Sequence, residues 1–87
     1  MYSDNLEIGE LYQLRAESLY VNVWNDVWEK KDTIDLVGEL VAGDVFTVLE
    51  KDLEWTKILS TTGQLGWCRF RWCHLTVKLG YSSIVPR

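Results

Sequence analysis

The side chains able to do chemistry are few, and their spacing does not assemble them. The one histidine, His74, follows Cys73 directly. Adjacent residues of a strand point to opposite faces, so this dipeptide does not make a Cys-His nucleophile pair. Cys68, Cys73 and His74 offer three metal-ligand types at spacings that match none of the usual zinc patterns. Thirteen carboxylates could supply an acid-base couple in many combinations, and nothing singles out two of them. No glycine-rich phosphate loop of the Walker or dinucleotide kind occurs. The expectation is a non-catalytic protein with no metal and no cofactor. Two other constellations stand out. The tract Arg69-Phe70-Arg71-Trp72 alternates cations with rings, which could neutralise phosphates while stacking bases. Five tryptophans in 87 residues exceed what a narrow core encloses, so some of them must reach the surface.

The charges that would surround such sites are segregated along the chain. The formal net charge is −4, but every acid lies at or before Glu54. Residues 1–54 set thirteen carboxylates against Arg15, Lys30, Lys31 and Lys51, a net of −9, whereas residues 55–87 carry five cations and no acid. In a small domain the two halves lie against each other, so the first consequence is internal pairing. The acidic remainder also repels a polyanion, which weighs against nucleic acid as a partner.

The elements that must position these residues read as strands. The stretches 11–16, 19–24, 39–50, 54–60, 64–70 and 74–79 each mix β-branched or aromatic residues with polar ones over short spans, and none sustains a helical stripe. The segment 25–35, NDVWEKKDTID, reads as an acidic loop. Ala-Gly-Asp at 42–44, Lys-Asp-Leu-Glu at 51–54 and Ser-Thr-Thr-Gly at 60–63 read as turns. Alternation places Phe46, Val48, Ile58 and Cys68 inward, sends Val45, Thr47 and Leu49 to the other face, and leaves Thr56 and Lys57 flanking Ile58. Gly63 is suited to a positive φ, and Gly66 to close approach by a neighbouring backbone. Five or six short antiparallel strands with tight turns predict a small all-β barrel or sandwich. Residues 1–10 read as an extension and 80–87 as a loosely held tail. The N-terminus lacks the pattern of a secretory leader and no apolar run approaches the roughly 18–20 residues that span a bilayer, so a cytoplasmic protein with no membrane partner is expected.

The run Val21-Asn22-Val23, the phrase GELVAGDVFTVLE (38–50), the Trp55-x-Lys57-Ile58 strand and GQLGWC (63–68), followed by Trp72, resemble the Src-homology-3 (SH3-like) barrel, most closely its bacterial and phage form. The likeness spans about residues 11–78. It implies a 3₁₀ turn before the last strand, with residues 11–79 forming the barrel. It also implies a peptide groove, with Trp55 at its edge, Trp72 near the groove tyrosine and the 25–35 loop meeting basic ligand residues. Two features depart from the family. The paired tyrosines of its first segment are not recognisable in ELYQLRAE, and Arg69 replaces the proline after the glycine-aromatic step, which sets a cation in a polyproline groove.

Trp24, Trp28, Trp55 and Trp72, with Asp26 and Glu29, are therefore the candidate contact residues for a protein or peptide partner, a second copy of the chain included. The competing structural reading folds Trp24 and Trp28 back as a lid over the barrel end. The alternative from another class is anion or nucleic-acid binding through Arg69 and Arg71. Its structural counterpart is pairing of these arginines with the 25–35 loop. Cys68, where the family carries a buried valine, reads as a core side chain, and a Cys68–Cys73 disulfide stays open.

Overall fold

The computed structural model describes residues 6–15, 20–27, 33–70 and 76–81. They form seven strands: β1 (Glu10–Leu14), β2 (Val21–Trp24), β3 (Leu36–Leu40), β4 (Val45–Asp52), β5 (Trp55–Ser60), β6 (Leu65–Arg69) and β7 (Thr76–Tyr81). They pair antiparallel in one sheet of order β3-β2-β6-β5-β4-β1-β7. The all-β expectation holds, with two corrections. The sheet has seven strands rather than five or six, and it is not closed into a barrel. The uncounted strand is β3, whose sequence Leu-Val-Gly-Glu-Leu merges in a linear reading with the stretch that follows. The turn at Val41–Asp44 separates them. Asp44 N–H donates to the Val41 carbonyl at 3.0 Å, and the Asp44 carboxylate accepts from Val41 N–H at 2.8 Å. The 3₁₀ turn implied by the resemblance falls on 71–75, outside the described residues.

The sheet wraps on itself because one side of most strands is apolar. Tyr12 and Leu14, Val21 and Val23, Leu40, Phe46 and Val48, Ile58, Cys68 and Phe70 meet in one buried cluster. Burying side chains of this size is worth about 1.5–3 kcal/mol each, which makes the cluster the main source of stability. Phe46 lies at its middle, stacked on Tyr12 at 6.0 Å and on Phe70 at 5.3 Å between centroids. Leu6 joins the same cluster, and Glu7 N–H donates to the Tyr12 hydroxyl at 2.8 Å, so the segment before β1 is part of the packed structure. β1 starts at Glu10 and β7 runs to Tyr81, each slightly past the expected limits.

Two irregularities decide what faces where. In β4 the register passes from Val48 opposite Ile58 to Glu50 opposite Lys57, so Leu49 is an extra residue, a bulge. Phe46 and Val48 therefore face in, while Glu50 faces out. Thr47 does take the outer face, opposite Leu11 and Leu59, yet it is fully buried there. Thr56, expected merely to flank Ile58, is also fully buried. The second irregularity is Gly66, where an added Cβ would lie 2.5 Å from the Trp24 carbonyl oxygen and 2.7 Å from Val23 Cγ1. The β2–β3 hairpin packs this closely on β6 because position 66 has no side chain. The expected close approach at Gly66 is present, as is the positive φ at Gly63, +94°.

The outermost strand β3 is tied back to the β5–β6 turn by one side chain. The Gln64 carboxamide accepts from Glu39 N–H at 2.6 Å and donates to the Glu39 carbonyl at 2.9 Å, as a neighbouring strand would. The turn that holds Gln64 is itself cross-braced, since Ser60 N–H donates to the Gln64 carbonyl and Gln64 N–H to Ser60 Oγ.

Candidate functional site

The outer face of the sheet is organised in cross-strand rows. One row runs Glu50, Lys57, Trp67, Trp24, Leu36 across β4, β5, β6, β2 and β3. It passes from an ion pair, Lys57 Nζ to Glu50 at 3.5 Å, through two half-buried indoles to an exposed leucine. Lys57 also lies 6.0 Å from the Trp67 ring centroid, a cation–π contact. Below this row stand Leu59 and Leu65, and Leu65 is exposed. Above it the Asp52, Trp55, Arg69 row repeats the device: Arg69 lies 5.7 Å from the Trp55 ring centroid and donates to Glu54 at 2.9 Å. Along the β5–β6 ladder each cation thus stands opposite a ring, Trp55 with Arg69 and Lys57 with Trp67.

The expected contact residues divide on this face. Trp24 is on it, half-buried, in the aromatic row. Trp55 is on it by alternation but is only 1% exposed, which corrects its expected place in an exposed aromatic patch. Asp26 follows β2, half-buried, with its carboxylate accepting from Val27 N–H at 2.8 Å. The base of the 25–35 loop is closed by Asn25 N–H to the Asp35 carbonyl at 3.0 Å and Asp35 N–H to Asn25 Oδ1 at 2.9 Å. Trp28, Glu29, Arg71 and Trp72 lie outside the described residues, as do Cys73 and His74.

Of the two cations of the alternative site, Arg69 is the one within the described residues. Arg69 is engaged with Glu54 of the β4–β5 turn and with the Trp55 ring, so it is paired within the chain. Among the described residues no group of three or more His, Cys, Asp or Glu side chains is placed to hold a metal ion. Cys68 is a buried free thiol, and burial pushes its pKa far up, which leaves it a small hydrophobe rather than a nucleophile. No described helix is long and apolar enough to cross a membrane.

Trp67 is the residue that sequence reading passed over, and the signal was available. If Cys68 faces inward, its neighbour must face out, so the GWC triplet already places an indole on the outer surface. Leu36 and Leu65 carried no such signal, because an isolated exposed leucine is ordinary. Only the register shows that they flank the two indoles. Compared with family models, curated proteins and solved structures, the chain matches none.

Proposed function

We propose that this chain is a non-catalytic SH3-like module that binds a protein or peptide through the outer aromatic row, with Trp24 and Trp67 at its centre and Leu36 and Leu65 at its flanks. The observation that carries this reading is the pairing of two half-buried indoles beside leucines exposed by 56% and 52%, all on one face of a sheet and rimmed by ion pairs. An apolar centre with aromatic anchors and a charged rim is the usual anatomy of a contact surface. The SH3-like assignment is supported by the order of parts. β4, β5 and β6 form a meander with tight turns, β1 lies beside both β4 and the last strand, and a β2–β3 hairpin extends from β6. Asp26, half-buried just past the end of β2, adds an acid beside the row.

A displayed peptide library panned against the protein tests the reading. Enriched peptides should lose at least tenfold in affinity on Leu36→Ser and Leu65→Ser, exposed changes that leave the fold intact, and on Trp67→Ala. Enriched peptides that bind all three variants as tightly as the parent would show that the contact surface lies elsewhere.

A further inference from the structure

A sheet that does not close has two margins, and the two are treated differently here. At the β3 margin Gln64 occupies the Glu39 backbone, and just beyond the strand Asp44 occupies that of Val41. At the other margin β7 pairs only with β1 among the described residues, and it carries Val77 and Leu79 exposed by 42% and 49%. Such an edge is a template for a further strand. A second copy approaching antiparallel about a twofold axis at residue 78 would set Val77 against Leu79 in both directions, the best apolar match this strand offers. The same register sets Lys78 directly opposite its twin, and like charges in that position are destabilising.

Lys78 is held ready for this. It shares the face of its register partner Tyr12, and its Nζ lies 2.8 Å from Glu10 Oε1 and 3.2 Å from Glu7 Oε1. The Glu10 side chain is 4% exposed, and its second oxygen meets no hydrogen-bond donor among the described residues. A half-satisfied buried carboxylate is a poor choice for stability, since an apolar residue would avoid its desolvation cost. The strand is also interrupted. The register shifts between Leu11 and Tyr12, which leaves Leu79 without a partner beside Gly80 at φ +127°. A charge on the inner face and a bulge are two means by which sheet edges are kept from adding strands. We infer that the Glu10–Lys78 pair guards the β7 margin, and that its role is to prevent a second copy of this chain from extending the sheet.

The test is oligomeric state by light scattering across a wide concentration range, with near-ultraviolet circular dichroism as the check on fold. The parent protein should remain a monomer. The charge-free pair Glu10→Gln/Lys78→Val, which does not strand a lone carboxylate, should fold and become a concentration-dependent dimer. Adding Leu79→Lys should return it to the monomer. Glu10→Gln/Lys78→Met is the milder variant for the same comparison. A dimeric parent, or folded charge-free variants that stay monomeric, would overturn the inference. So would a dimer that Leu79→Lys leaves intact. Loss of fold in both charge-free variants would show that the ion pair is needed by the monomer and is not a guard.

Discussion

Trp24 faces Trp67 across the single register pair that joins β2 to β6. In strand pairing the β2–β3 hairpin joins the sheet at this point, backed on one side by Gly66 and on the other by the Gln64 clamp on β3. The attachment is short, so the residues around it should respond sharply to substitution.

Gly66→Ala should cost about 2–3 kcal/mol, because the new methyl group would meet a backbone carbonyl and a core valine that cannot both retreat. Urea denaturation measures the loss. A midpoint equal to that of the parent would contradict the close approach on which the hairpin position depends.

Gln64→Ala removes two hydrogen bonds to one backbone unit, Glu39. The expected loss is about 1–2 kcal/mol. Hydrogen exchange locates it, with the Glu39 amide exchanging faster while the amides of β4 and β5 keep their relative protection.

Leu53 should respond in the opposite direction. It is 84% exposed at the first position of the two-residue turn between Asp52 and Trp55, with φ at +56°. A leucine there bears about 1–2 kcal/mol of backbone strain, which glycine does not, while glycine gives back about 0.5–1 kcal/mol in chain entropy. Leu53→Gly should therefore raise stability by about 0.5–1 kcal/mol, read as a shift of the urea midpoint at unchanged slope.

Alkaline pH should unfold the protein in two stages. Burial raises the Cys68 thiol, and hydrogen bonds from Lys78 to Glu10 and then Glu7 raise the Lys78 ammonium. Both folded groups hold their protons longer than the unfolded chain does, so their contribution is complete at neutral pH and is lost as pH rises. Stability should begin to fall near pH ~8.5, where an unfolded thiol ionises, by about 1.4 kcal/mol per pH unit, and the solvent-screened Lys78 ammonium should add only a shallow further fall above pH ~10.4. Cys68→Val should remove the first stage and leave the second. At neutral pH a thiol reagent should modify Cys68 only at the rate at which the protein opens.

Much of this architecture was readable from the chain alone, for reasons that particular residues make clear. Alternation placed Phe46, Val48, Ile58 and Cys68 together because each sits in a strand with one clearly apolar side, and Gly63 and Gly66 announced their roles because no other residue suits them. β3 was not readable as a separate strand. Its middle residues, Gly38 and Glu39, look unfavourable in isolation, and they are accommodated by Gln64, 25 positions away from Glu39. The candidate site was half legible for the same reason. Period-two reasoning tells which side Trp55 faces, but not that the ring is covered there while Arg69 lies over it. It could have named Trp67, but the row from Glu50 to Leu36 is a property of register across five strands, which depends on a bulge that local sequence does not mark.

That bulge gives position 49 an unusual status. Because Leu49 stands outside the ladder, a chain shortened by this one residue keeps Val48 and Glu50 on their present sides, and every later residue of the arm with them. Dropping Thr47 instead would reverse the orientation of the segment leading into the bulge. A single-codon deletion, ordinarily ruinous within a β-arm, should therefore be survivable at one place in this hairpin.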